Sequence, residues 1–366
     1  MERRFPATKI AMITRWNATC GISMHAELVA KEWIKKHDLT VFAPTLESAQ
    51  DWHHQIIEKP DEDYVIRGYE QPMALGESGW IDDRLWKENY DILVVQGLAL
   101  IPIQTLLKNW KKIKAKKILV VHEGKLPIYE SFYKCEFDGI VCFDSKYKSM
   151  LLSRYSPNKT HIIPYPCHPV VRGNKALVRK KLSISKEKII LFSFGRQPLK
   201  EYKDYLKVVE ELKGEYEIKY VILRSDHKWN QKELPKFLDL RMEAAPTEKI
   251  YEYLHVADVH LIPKSPTDSV VVSSTAFQCL GALTPIVAPN TKHFELLEKE
   301  IVKYNNRKEL KEAIIKLILD EDFRKDVLNS AEKYVNNNSS EKVAELFIKL
   351  FRDIYLCHQA KPSSLS

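Results

Sequence analysis

Short apolar runs of four to six residues alternate along the chain with longer stretches in which apolar positions recur every three to four residues. Runs of the first kind predict buried strands and the second kind amphipathic helices. In the first half, strands are expected at Lys9–Thr14, Thr40–Ala43, Tyr64–Arg67, Ile92–Gln96, Lys117–His122 and Gly139–Phe143. After a break the alternation restarts, with strands at Ile189–Phe194, Lys219–Leu223, His260–Ile262 and Pro285–Ala288. Helices are expected at Glu201–Lys213, Thr247–Val256 and Ser273–Leu280, and Arg307–Leu356 reads as a succession of helices interrupted near Asn336–Ser340. Strands that alternate with helices in this way predict parallel sheets covered on both faces.

The break is marked by proline. His161–Val171 reads as a strand that ends in Pro164, Pro166 and Pro169, three prolines within six positions. Proline removes ladder donors and stiffens the chain, so this is a boundary or hinge signal. Two α/β domains are expected: residues 1–166, then 167–357 with the C-terminal helices, and a disordered tail over 358–366. A length of 366 residues fits that division.

Composition narrows the class. Hydrophobic residues make up 45% and charged residues 29%, which excludes disordered and fibrous chains. No apolar run approaches the roughly 20 residues needed to cross a bilayer. Met1–Pro6 carries three charges and leads directly into a short strand, so no secretory or transit segment is expected. Cys20, Cys135, Cys142, Cys167, Cys279 and Cys357 lack metal-finger spacing, which suits buried thiols in a reducing cytoplasm. The formal charge of +8 admits nucleic acid, an anionic membrane surface or a phosphate-bearing substrate as partner.

Three stretches carry candidate chemistry. Thr14–Ser23, with Gly21, follows the first strand and opens a helix; glycine permits close approach, and a helix start presents unpaired N–H groups to anions. A plain strand-to-helix turn is the alternative. Gly195-Arg196 follows the strand Ile189–Phe194, and Lys200 stands four residues on. Lys200 could be a solvated helix-start lysine. Leu261–Pro266, a polar loop through Asp268, the helix start Ser273-Ser274-Thr275 and the strand Thr284–Ala288 form the third. Hydroxyls and N–H groups at that helix start could bind phosphate.

Together these stretches resemble glycosyltransferases of the GT-B fold, particularly the retaining family 4. The resemblance implies two Rossmann-like parallel-sheet domains facing a central cleft, and transfer of a hexose from a nucleoside-diphosphate sugar to a hydroxyl acceptor. Arg196 and Lys200 would neutralise the leaving diphosphate, with Gly21 and the Ser273–Thr275 helix start approaching the donor. His122, which ends an apolar strand beside Glu123, resembles the family's histidine near the reacting carbon; a structural His–acid pair is the alternative. The family carries two glutamates eight positions apart in the third stretch, where this chain has Val270 and Gln278. Gln278 can still bond a ribose hydroxyl, or can close a capping box with Thr275. Asp268 could replace the lost acid from a shifted loop, or be a turn aspartate. A catalytically impaired nucleotide-sugar-binding scaffold and a non-hydrolysing sugar epimerase stay open as alternatives.

Other motifs are discounted. Asp61-Glu62-Asp63 and Asp320-Glu321-Asp322 spell DxD but are read as solvated turns, so no metal and no other cofactor is expected. Lys108–Lys117 places Leu106, Trp110 and Ile113 on one helical stripe ringed by lysines. It could touch anionic lipid headgroups at the inner membrane face, or simply complement a helix dipole. Its aromatics are not interleaved with bases as single-strand binding requires, so nucleic acid is not the expected partner.

Overall fold

A computed structural model describes residues 7–50, 54–74, 76–99, 101–226, 229 and 234–359; the expected tail, 358–366, lies almost wholly outside the described residues. The chain divides into two compact units. The first holds residues 1–166, 269–271 and 340–366, and the second 167–268 and 272–339.

In the first unit seven strands are β1 (Lys9–Ile13), β2 (Asp38–Pro44), β3 (Val65–Tyr69), β4 (Ile92–Gln96), β5 (Lys116–Val120), β6 (Gly139–Cys142) and β7 (Thr160–Ile162). They form one parallel sheet in the order β3-β2-β1-β4-β5-β6-β7. The switch point lies at β1, whose Ile10 pairs with Leu39 on one side and Ile92 on the other. Strands β1 and β4 are buried almost throughout, which is why they read as unbroken apolar runs. The helices α1 (Gly21–Trp33), α2 (Arg84–Lys87), α3 (Ile103–Asn109) and α4 (Ser145–Leu151) lie between strands. Helix α3 ends at Asn109, so the lysine run does not continue one helix: Lys117 Nζ turns back to the carbonyls of Ile113 and Ala115 at 2.9 and 3.2 Å. Leu106, Trp110 and Ile113 are buried all the same.

The second unit repeats the plan. Its strands β8 (Ile189–Phe194), β9 (Ile218–Arg224), β10 (Leu238–Met242), β11 (Val259–Leu261), β12 (Ile286–Pro289) and β13 (Val302–Tyr304) form a parallel sheet in the order β10-β9-β8-β11-β12-β13. Its helices are α5 (Lys175–Lys181), α6 (Leu199–Leu212), α7 (Thr247–Val256), α8 (Ser274–Cys279), α9 (Arg307–Leu319) and α10 (Glu321–Asn337). On α6 the buried residues Tyr202, Tyr205, Val208, Val209 and Leu212 fall at helical spacing and form one apolar stripe. They share a core with Leu191, Tyr220 and Ile222 of the sheet and Leu310 and Ile314 of α9. Asp320 is the cap of α10, accepting from Phe323 N at 2.9 Å, which fixes the turn between α9 and α10.

The last helix, α11 (Ser340–Gln359), corrects the sequence-based domain assignment. Placed there with the second domain, it belongs instead to the first unit, where it packs on α1. Trp33 meets Phe347 and Phe351 edge-on at 5.5 and 5.4 Å, and its indole N–H donates to Ala344 O at 3.3 Å. Such aromatic pairs add about 0.5–1.5 kcal/mol each beyond the area they bury. Cys20, Cys135, Cys142, Cys167 and Cys279 are all buried free thiols. No described helix is long and apolar enough to cross a membrane.

Candidate functional site

In the second unit, charge gathers at the carboxyl edge of the sheet. Strand β8 ends at Phe194, and Gly195 turns the chain at φ +122°, a conformation that side chains rarely tolerate. A Cβ there would also lie 2.7 Å from Gln197 Oε1. Behind this loop Arg224, at the end of β9, donates to Gln197 O at 2.9 Å and grips Asp226 through Nε and NH2 at 2.8 and 3.0 Å. Tyr202 OH donates to Gln197 Oε1 at 2.9 Å. The loop is thus fixed on both sides, and it carries half-buried Arg196.

The neighbouring strand β11 is fixed by hydroxyls. Ser193 Oγ bonds Leu261 O at 2.5 Å and Tyr220 OH at 2.7 Å; Tyr205 OH donates to Ile262 O at 3.2 Å and accepts from Tyr304 OH at 2.7 Å. Just past this network comes Lys264. Burial holds its ammonium below the usual lysine range; Glu201, on the first turn of α6, opposes that shift, and the like charge of Arg196 adds to it. His293 follows the same logic: burial, with a smaller push from Lys264, lowers it to about 4. The carbonyl of His293 accepts from Ser273 N at 3.0 Å, tying this cluster to the start of α8. Arg196, Lys264, a neutral His293 and the α8 start therefore share one neighbourhood in which two cations repel each other and Glu201 offsets part of that repulsion. Such a cluster gains by taking an anion, because the anion relieves the mutual repulsion.

The other residues singled out in the second unit are disposed differently. Lys200 stands exposed on the first turn of α6, and Asp268 is exposed, with its carbonyl rather than its carboxylate facing Lys292 Nζ at 3.5 Å. Ser273 is the cap of α8 and spends its Oγ on Ala276 N at 3.3 Å, whereas Ser274 and Thr275 are half-buried on the first turn. The capping box with Thr275, one of the two alternatives open for Gln278, does not form, because the cap of α8 is Ser273. Gln278 Nε2 instead donates to Thr247 Oγ1 at 3.1 Å, at the start of α7, and Gln278 O accepts from Tyr251 OH at 2.8 Å.

In the first unit, the carboxyl ends of β4 and β5 hold His122. Its Nε2 lies 2.9 Å from Gln96 Oε1, and its ring meets His25 and Phe143 edge-on, each at 5.1 Å. Burial, then the charges of His25 and Arg15, keep the imidazole well below its ordinary range. It is neutral at pH 7. Glu123 is structural: its Oε1 accepts from Leu98 N and Ala99 N at 2.9 and 3.2 Å, and its Oε2 from His122 N at 3.1 Å. Gly97, at φ +74°, lies against that carboxylate, where a Cβ would come within 3.0 Å of Oε1. Gly124 O accepts from Val270 N at 3.0 Å, so the valine at the first glutamate position lies beside the His122 loop. A Cβ on Gly124 would meet Val270 O at 2.3 Å.

Gly21 is the first residue of α1, and its carbonyl accepts from Tyr165 OH at 2.5 Å. The preceding loop is buried, and Arg15 in it donates to Ala99 O at 3.3 Å. Asp61 and Glu62 are not simply solvated: Asp61 pairs with Arg67 at 2.7 Å and accepts from Asn17 Nδ2 at 2.7 Å, while Glu62 accepts from Trp16 Nε1 at 2.8 Å. They brace that loop. Among the described residues no group of three His, Cys, Asp or Glu side chains is arranged to hold a metal ion. Sequence reasoning missed Lys264, His293, Gln96 and His25; only Lys264, directly after an expected strand and one proline, carried a positional signal.

No protein-family model matches the chain. Solved structures do. A glycosyltransferase from Rickettsia africae superimposes with a TM-score of 0.66 at 15% identity, over 96% of this chain and 99% of that one. A sucrose-phosphate synthase from Thermosynechococcus elongatus gives 0.65 at 12%, over 96% and 100%. HepE from Anabaena, in complex with UDP and glucose, gives 0.64 at 10%, over 94% and 100%. At these identities the likeness is one of fold: two Rossmann-like parallel-sheet units of the GT-B kind, the α/β class expected from the sequence.

Proposed function

We propose that this chain transfers a sugar, in the finer reading a hexose, from a nucleoside-diphosphate sugar to a hydroxyl acceptor. The observation that carries the reading is the pair of cations Arg196 and Lys264 at the carboxyl edge of the second sheet, with neutral His293 tied to the capped start of α8. Ligands of such sheets bind outside the carboxyl ends of the strands. As the bond from sugar to diphosphate breaks, negative charge grows on the leaving phosphate. The guanidinium of Arg196 and the ammonium of Lys264 would bind that charge more tightly in the transition state than in the ground state, which is what lowers a barrier. These cations would do the work that a metal ion does in other transferases. In the first unit, neutral His122 would present a ring nitrogen to the sugar, and the Gly21 turn would admit donor or acceptor.

Support for the nucleotide comes from the neighbours: HepE was solved with UDP and glucose, which makes UDP the first nucleotide to try. Retention of anomeric configuration and membership of family 4 rest on the motif resemblance. The acceptor would be a lipid, a glycan or another hydroxyl compound. A cytoplasmic enzyme meeting an anionic membrane face through the lysines near α3 fits this reading.

One observation favours a second reading, a nucleotide-sugar-binding scaffold: Val270 and Gln278 stand where a glutamate pair would, and Gln278 already bonds Thr247. Incubation of the purified protein with UDP-glucose and other nucleotide sugars, with and without candidate acceptors, separates the possibilities. Acceptor-dependent release of nucleoside diphosphate supports transfer. Turnover without acceptor points to an epimerase, and tight binding without turnover to a scaffold.

A further inference from the structure

A cavity of about 610 Å³ opens in the second unit at the amino edge of its sheet, where β11 and β12 begin, the opposite edge from Arg196 and Lys264. Its size falls within the roughly 300–1,000 Å³ of small-molecule sites. Leu283, Pro285, Leu317, Ile318 and Leu328 supply apolar wall, and Arg172, Lys175 and Arg324 supply positive charge. Asp258 is the carboxylate in the lining, and it is already engaged by Lys175 and by Arg179 at 2.9 Å. Arg172 pairs with Glu332 at 2.6 Å. Counting these partners, four cations (Arg172, Lys175, Arg179, Arg324) face two carboxylates (Asp258, Glu332), which leaves a surplus of two positive charges.

Helix ends at the cavity would ordinarily oppose an anion. The carboxyl ends of α7 and α9 both lie here, and free carbonyls carry partial negative charge. Several of these carbonyls are covered. Arg324 NH1 donates to Leu317 O and Ile318 O at 2.8 and 3.1 Å, Arg179 donates to Val256 O at 3.1 and 3.0 Å, and Thr284 Oγ1 donates to Leu254 O at 2.7 Å. The field at the mouth is therefore set by cations. The rim is also held in place: His255 Nε2 bonds Val171 O at 2.8 Å, and a Cβ on Gly173 would fall 2.1 Å from His255 Nδ1. Leu283 enters the wall at φ +53°, a left-handed conformation that costs a leucine about 1–2 kcal/mol. Strain of that kind persists where the surroundings over-determine it, and it often marks a site.

We propose that this cavity is a second ligand site, for a small amphipathic anion: a carboxylate, sulfate or phosphate group on an apolar body. The anionic group meets Arg172, Lys175 and Arg324 at the mouth, and the apolar body covers Leu283, Leu317 and Leu328. The site is independent of the sugar-transfer reading and stands if that reading fails.

The test uses 8-anilinonaphthalene-1-sulfonate, whose sulfonate and fused rings match this chemistry, titrated by fluorescence into the full chain with UDP in excess. Wild type should show one saturable site. Leu328→Trp, which fills the cavity, should weaken binding at least tenfold, and the rim variant Arg172→Ala/Lys175→Ala at least fivefold, both with near-UV circular dichroism unchanged. Sodium sulfate alone should compete only weakly. Unchanged affinity in the rim variant overturns the proposal, as does unchanged affinity in a folded Leu328→Trp. Because Arg172 and Lys175 are exposed, the rim variant decides the matter even if Leu328→Trp does not fold.

Discussion

His122 Nε2 and Gln96 Oε1 lie 2.9 Å apart at the ends of two adjacent strands, and the bond fixes which ring nitrogen carries the proton. An amide oxygen only accepts, so Nε2–H donates and Nδ1 is left with a lone pair. A carboxylate in place of the amide would favour the charged ring. In Gln96→Glu the His122 pKa should therefore rise. Followed by NMR, His122 should titrate at higher pH in the variant than in wild type; coincident curves would disprove the assigned pairing.

Buried histidines also set the acid limit of stability. Burial lowers His25 to about 3 and His260 to about 4, and among the described residues His260 Nε2 finds no hydrogen-bond partner. Above pH 6.5 these rings are neutral in both folded and unfolded chains and do not affect the balance. As pH falls below 6.5 the unfolded chain takes up protons that the folded one refuses, so stability falls until the folded pKa is reached. Each such ring contributes about 1.4 kcal/mol per pH unit in that window. Denaturant melts from pH 7 to 5 should show this loss, and His260→Phe should reduce its slope by about one proton.

Arg179 should be among the most sensitive positions in the second unit. Its guanidinium is buried and donates to the carbonyls of Ser185, Lys186, Lys188 and Val256 and to Asp258 Oδ2. Asp258 Oδ2 in turn accepts from Ile190 N at 2.7 Å, linking α5, α7 and the start of β8. Arg179→Ala leaves the carbonyls of Ser185, Lys186, Lys188 and Val256 without this donor, while Asp258 keeps Lys175 and Ile190 N; each buried acceptor left unmade costs about 1–3 kcal/mol. Lysine cannot reproduce the fork, so Arg179→Lys should recover less than half of the loss in a urea melt.

Strands such as β4 and β8 were legible because both faces are buried, so Ile92–Val95 and Ile189–Phe192 read as unbroken apolar runs. Strands β10 and β13 were not. Both are edge strands with mostly half-buried residues, so neither shows an unbroken apolar run. Helix α11 was legible as a helix but not in its place, because an amphipathic pattern shows that a face is buried and not against what. Its partner Trp33 is 311 positions from Ala344. At the candidate site, Arg196 was readable from the Gly195 turn after a strand. Lys264 was one of 57 lysines and arginines until burial and the nearby charge of Arg196 set it apart.

That contrast gives the sharpest functional prediction, since three cations on neighbouring elements should behave unequally. Arg196 and Lys264 are half-buried and close enough to perturb one another, whereas Lys200, on the same loop-to-helix transition as Arg196, faces solvent. Removing a preorganised donor from a developing oxyanion costs about 10²–10³ in rate. Arg196→Ala and Lys264→Ala should each lower kcat by that factor and abolish the rise in Tm that UDP produces. Uridine, which lacks the diphosphate, should bind all three proteins alike. Lys200→Ala should stay within twofold of wild type, because an exposed lysine is screened by water and salt. If Lys200→Ala proves as damaging as Arg196→Ala, the phosphate site extends along α6 and not toward Lys264. If Lys264→Ala leaves UDP stabilisation intact, the crowded charge at the carboxyl edge serves some other anion.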